Sequence, residues 1–451
     1  MARKLVTAIL ILTLAGAWLP AMAKSAKPLN SLARRAFFGM GTAELPDSMR
    51  VRIAPDTTGW LLLAVVKGRT AEKMGMQKND VLLKLNDVPV NDRIGVRDIV
   101  LNYKTGVQVK AEYWHEGQRK TASAALTEYP RESAPDFDIL YDAFRDGDSL
   151  RRVIITRPRA AGKYPVVVYL PGPGAFDIDR NRDIYQYPLQ ELLYELTRAG
   201  FVTVRMDKPG QGDSQGPATA TLTFDDEVNL LTNGLNALTK WDFIDPQRVL
   251  LFAHGLGGIH APLVAAHYPV QGIMAVNSIG TGWLNYEVNR FRRESVLEGL
   301  PYDSVEALAA RKDRALHLLC MNKETPEQIE RENPALASSL PDGLLPAYWQ
   351  SMADLNVPAL WRSVTVPVLV LGGTADYVTT ADESRTLADV LNSFHPGQAT
   401  YVELKDLDHD LKTMPSWQAS YDSYHHTVWF GPTHGEVIPT VVAWAKKTAG
   451  I

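Results

Sequence analysis

The spacing of apolar and polar positions divides the chain into two regions with different periods. Between residues 33 and 128 the apolar runs are short and broken by turn residues. Residues 59–66 predict a strand, residues 70–75 a short helix ended by Gly75, and residues 80–85 an alternating, half-buried strand turned by Asn86 and Asp87. Residues 129–135 form a polar, proline-bearing linker. After residue 136 continuous apolar runs at 164–170, 201–206, 249–252, 272–276 and 366–371 alternate with helical stretches at 189–199, 224–240 and 380–393. Uninterrupted apolar strands separated by helices predict an α/β protein whose mostly parallel sheet is covered on both faces. Residues 282–361 read as helical and charged, an insertion expected to cap the carboxyl ends of the strands.

Composition narrows the class. A chain of 451 residues is too long for one ordinary core. The net charge of −4 and the lack of a basic stripe give no argument for nucleic acid. Arg3 and Lys4, an apolar run over 5–18, and Ala21-Met22-Ala23 predict a signal peptide over residues 1–23. No cysteine follows that run, and no later segment is apolar enough to cross a bilayer, so an exported chain, periplasmic or secreted, is expected. The single cysteine, Cys320, rules out an intramolecular disulfide and is expected in the core.

The run at 66–76, Asn79-Asp80-Val81-Leu82 and Leu85-Asn86-Asp87 together resemble a bacterial, protease-associated PDZ domain, here over residues 33–128. Asn79 stands where that family usually has glycine. Phe37-Phe38-Gly39-Met40 fits the loop by which PDZ domains hold a peptide carboxylate on backbone N–H groups, with the adjoining strand edge pairing to the peptide. The resemblance implies a peptide or protein C-terminus as partner; a PDZ fold used only as a spacer is the other reading.

From residue 136 to 451 the chain resembles the α/β-hydrolase superfamily. Asp376 follows an apolar strand in Leu371-Gly372-Gly373-Thr374-Ala375-Asp376, and His409 lies in Leu407-Asp408-His409-Asp410. These match the acid and base of a catalytic triad in chain order. Asp207-Lys208-Pro209-Gly210-Gln211-Gly212-Asp213-Ser214 matches a structural turn, and Leu170-Pro171-Gly172-Pro173-Gly174 an oxyanion loop. The resemblance implies that His409 takes a proton and Asp376 orients it, while the Leu256 N–H and one loop N–H hold an oxyanion. Pro173 has no N–H, which leaves Gly172, preferred, or Gly174.

The nucleophile elbow departs from the pattern. Ala253-His254-Gly255-Leu256-Gly257 carries glycine where G-x-S-x-G carries serine. Three readings stay open: a non-catalytic pocket or scaffold, water activated by His409 in the vacated space, or a relocated nucleophile, with Ser278 as candidate. The ligand implied is a small ester or peptide, and no cofactor is expected. Gly255-Leu256-Gly257-Gly258 lacks the third spaced glycine of a dinucleotide loop. Asp406, Asp408, His409, Asp410, His425, His426 and His434 crowd the C-terminal part without compact metal-ligand spacing, so no metal is expected. Residues 421–435 read as a loop beside the pocket, with Tyr424, Trp429 and Phe430, before a last helix at 437–447.

Overall fold

The computed structural model describes residues 32–53, 58–90, 103–175, 178–179, 187–425 and 432–451. The expected signal peptide, His426, Trp429 and Phe430 lie outside these.

The N-terminal module is built on strands β1 (Ala36–Phe37), β2 (Met40–Glu44), β3 (Trp60–Val65), β4 (Val81–Leu85), β5 (Val88–Pro89), β6 (Gln108–His115), β7 (Gln118–Ala125) and β8 (Thr127–Glu128). β2-β3-β4-β6-β7 make one antiparallel sheet, β5 pairs with β4, and β1 pairs with β8. The period of two places Val109, Ala111 and Tyr113 of β6 inward, against Leu62, Leu82 and Leu85. The short helix is Thr70–Lys73.

The second module carries β9 (Phe137–Asp146), β10 (Ser149–Pro158), β11 (Tyr164–Leu170), β12 (Val202–Met206), β13 (Ile244–His254), β14 (Gly272–Val276), β15 (Val368–Gly373) and β16 (Ala399–Leu404). Their order is β16-β15-β14-β13-β11-β12-β10-β9; β9 and β10 run antiparallel and the rest parallel. Buried side chains cover both faces, which is why the central strands read as unbroken apolar runs. Helices Trp283–Leu297, Tyr302–Leu316, Pro346–Ala353 and Val357–Arg362 form most of the expected insertion, and its described residues hold no strand. Cys320 is fully buried there, and burial pushes its thiol up to about 11.

One expectation needs correction. Residues 421–435 are not loop throughout, because a helix spans Trp417–His425 and Tyr421 packs its ring edge-on against Tyr377. Within the segment read as a linker, Glu132 is tied into the second module. Its carboxylate is buried, takes both terminal nitrogens of Arg205 at 3.0 and 2.7 Å, and accepts from Tyr194 Oη at 2.6 Å.

The two modules also meet through a buried charge cluster. Arg34, two residues before β1, places Nη1 2.6 Å from both Asp179 and Asp213. Arg152 of β10 reaches Asp213 at 2.9 Å and the Leu32 carbonyl at 2.9 Å. Opposite charges in equal number, each hydrogen-bonded, are what burial of such groups requires.

Candidate active site

The parallel strands deliver their carboxyl ends to one cavity of about 370 Å³. β13 ends in the turn His254-Gly255-Leu256, and helix Gly257–His267 leaves it. Gly255 has φ +56, the left-handed region that glycine enters at no steric cost. A β-carbon built on it would stand 3.2 Å from His409 Nε2. The elbow thus keeps its shape, and the histidine faces the place where a nucleophile would stand.

His409 lies on the loop after β16, and Asp376 on the loop after β15. Nδ1 of His409 donates to Asp376 Oδ2 at 2.8 Å, which leaves Nε2 directed at the cavity. The other oxygen of Asp376 accepts the Val378 and Thr379 N–H groups, both at 2.8 Å, so the fully buried carboxylate is fixed. Burial alone would lower the His409 pKa; the adjoining Asp376 carboxylate outweighs it and raises it to about 9.

Three further residues fix this pair. Nε2–H of His254 donates to the His409 carbonyl at 2.7 Å, and the Asn277 amide donates to the Asp408 and His409 carbonyls at 3.0 and 3.2 Å. Burial and the nearby His409 hold His254 down to about 3, so it stays neutral. From helix Trp283–Leu297, Arg293 donates to the Tyr377 and Val378 carbonyls, both at 2.8 Å, tying the cap to the acid loop.

The loop after β11 also lines the cavity. A β-carbon on Gly172 would come within 3.7 Å of the Leu256 backbone nitrogen, whereas Gly174 is not among the wall residues. Behind this loop sits a polar cluster that sequence reasoning did not anticipate. Lys208 Nζ donates to the Gly172 carbonyl at 2.7 Å and pairs with the buried Glu227. Glu227 also takes His260 at 3.2 Å and the Tyr348 hydroxyl from the cap. Burial would raise Glu227, but Lys208 outweighs it and holds it at about 2. Lys208 stood within the structural-turn motif, and nothing local in that motif points at residue 172.

Ser278 does not border the cavity. It is fully buried behind the elbow, its Oγ donating to the Gly255 carbonyl at 2.9 Å. Among the described wall residues there is no serine, threonine or cysteine; five are tyrosines, at 169, 187, 286, 377 and 424. Of the C-terminal acidic and histidine cluster, His409, Asp410 and His425 reach the wall. His434 instead bonds the Lys405 carbonyl at 2.9 Å, and no metal-ligand group is assembled among the described residues.

In the N-terminal module, Phe37, Phe38, Gly39 and Met40 join β1 to β2. The carbonyls of Phe37, Phe38 and Gly39 are held by Thr70 Oγ1, the Ala71 N–H and the Val66 N–H at 3.0, 2.8 and 2.8 Å. Phe38 is a core residue, and β2 forms the end of its sheet among the described residues.

An eight-stranded, mostly parallel sheet with an acid–histidine pair at its carboxyl ends, preceded by a small mainly-β module, is an α/β-hydrolase fold behind a PDZ domain. The comparisons agree: the chain belongs to the α/β-hydrolase family described as serine aminopeptidase, S33, matched over residues 187–412, and a PDZ domain is matched over 47–126. The PDZ match begins after the Phe37–Met40 loop. Among curated proteins, Esterase EstD of Thermotoga maritima is 23% identical over 239 residues, 52% of this chain and 52% of that protein. The chain thus spans about half the length of this relative. Solved structures that match include Est1E of Butyrivibrio proteoclasticus, 16% identical with a TM-score of 0.40, covering 68% of this chain and 96% of that one. A Pyrococcus furiosus esterase is 14% identical with a TM-score of 0.43, covering 71% and 97%.

Proposed function

We propose that this is an exported α/β-hydrolase-fold protein of esterase descent whose cavity binds a small ligand without forming an acyl-enzyme, while its PDZ module holds a peptide C-terminus. The observation that carries the proposal is the contact between Gly255 and His409: a base is aimed at a position that has no side chain. The burial of Ser278 behind the turn weighs against it as a substitute. Loss of the serine removes the covalent route, and in related triads what then survives is binding and oxyanion stabilisation, roughly 10³–10⁴-fold over water. Pro173 removes a further donor from the oxyanion loop. The sequence features at residues 1–23 support export, and the β2 edge beside the Phe37–Met40 loop supports peptide capture.

A second reading is favoured by one specific observation. The Asp376–His409 pair is intact and oriented, which is the equipment for activating a water in the vacated space. The test is turnover of p-nitrophenyl acetate and butyrate by the mature chain beside Gly255→Ser and His409→Ala. A silent natural chain with an active Gly255→Ser variant supports the binding role. Turnover by the natural chain that His409→Ala abolishes overturns it in favour of water attack.

A further inference from the structure

Resting on that binding role, we infer that the Gly255 cavity is a receptor for small carboxylates bearing an apolar tail. Two donors flank the vacated position. One is the Leu256 N–H, which has no acceptor in the protein among the described residues and opens helix Gly257–His267, where the backbone dipoles favour negative charge. The other is His409 Nε2, 3.2 Å from the Gly255 β-carbon position, with no protein partner among the described residues. A carboxylate has two oxygens in a fork and can accept one hydrogen bond from each donor, the histidine bond being charge-assisted. Serine at 255 would put its own hydroxyl into this space and take the Nε2 hydrogen bond. Glycine leaves it open.

The rest of the wall suits the remainder of such a ligand. Tyr169, Ile178, Leu189, Leu193 and Val378 offer apolar surface beside the two donors. The other charges facing His409 are largely paired within the protein. Asp376 holds Nδ1; Asp408 and Asp410 lie 3.5 and 3.6 Å from Lys412 Nζ. From the cap, Arg290 is engaged by Glu287 at 3.0 Å and Glu294 at 2.5 Å. His254 stays neutral. The imidazolium of His409, paired with Asp376 through Nδ1, keeps its Nε2–H directed at the vacated position. It persists to about pH 9, so carboxylate affinity is present at neutral pH and lost as pH rises through that value.

The experiment is calorimetric titration of the full mature chain with hexanoate and benzoate at pH 7, with uncharged hexanamide as the comparison. The expected result is saturable binding with Kd at or below about 1 mM, hexanamide at least about tenfold weaker, and a comparable loss in His409→Ala and Gly255→Ser. Melting curves on the same samples confirm that each variant is folded. No saturation by either acid up to about 10 mM, equal binding of hexanamide, or undiminished binding by folded His409→Ala overturns the inference. Ester turnover by the natural chain would sink the non-catalytic role, whereas this proposal is decided by the titration alone.

Discussion

Lys208 Nζ lies 2.7 Å from the carbonyl oxygen of Gly172, so a cation from the turn after β12 fixes the loop that walls the cavity. The same ammonium neutralises Glu227, which also takes a hydroxyl from the cap residue Tyr348. Helix Pro346–Ala353, the loop after β11 and the turn after β12 therefore share one buried polar cluster.

Removing one member leaves an uncompensated buried charge. Lys208→Met is expected to cost about 3–5 kcal/mol of stability, and Lys208→Met/Glu227→Gln to recover much of it, since the second change removes the orphaned carboxylate. Urea unfolding of the two variants checks this. Equal losses in single and double variants would refute the pairing argument.

Gly255 carries a conformational cost for any replacement. At φ +56, both Gly255→Ala and Gly255→Ser should lose about 1–2 kcal/mol relative to the natural chain. Only the serine variant should gain ester hydrolysis, by on the order of 10²-fold or more, because nucleophile removal in intact triads costs more than that. A gain in the alanine variant would show that backbone shape, not the hydroxyl, limits the site.

Two groups on one loop should give stability opposite origins but the same slope with pH. His409 is raised above its ordinary value, so its contribution is complete below about 6.5 and is lost as pH rises through about 9. Asp408, pushed up to about 7 by burial and by neighbouring Asp410, binds a proton in the folded state that the unfolded chain has released. Its penalty therefore grows between about 4 and 7. Asp408→Asn should flatten the stability curve over 4–7, and His409→Gln over 6.5–9. Denaturant midpoints measured across pH 4–10 separate the two windows.

The PDZ loop offers a steric test. A β-carbon on Gly39 would meet Arg69 Cβ at 2.2 Å, and its φ is +85. Gly39→Ala is therefore expected to displace the loop and abolish capture of peptides with free C-termini, while cavity titrations with hexanoate stay unchanged. A peptide array probed with both chains reads the first effect. Retained peptide binding would remove the Phe37–Met40 loop from the site.

Much of this architecture was legible because it is local in sequence. The runs at 164–170 and 272–276 are strands β11 and β14 with the same bounds, since a strand buried on both faces needs only apolar residues. Asp376 and His409 were visible because each sits in a short turn after a strand. The β9–β10 hairpin was not anticipated, because its strands carry the charged residues Arg151 and Arg152 that tertiary pairing buries. Lys208 and Arg34 were missed for the same reason: their partners lie 19 and more than 140 residues away, and each side chain alone looks like a surface cation.

The Arg34 cluster has a consequence for where the catalytic-type module physically begins. Truncation at residue 136, the boundary that composition suggests, would strip away Arg34 and the Leu32 carbonyl. Asp179 and Asp213, both with almost no exposed side chain, would then lose the guanidinium that lies 2.6 Å from each of them. The same cut would remove Glu132 and leave Arg205, a wall residue of the cavity, as an unpaired interior cation. A fragment cut at residue 136 is therefore expected to be less stable than one that keeps Leu32, Arg34 and Glu132 together with the module between them.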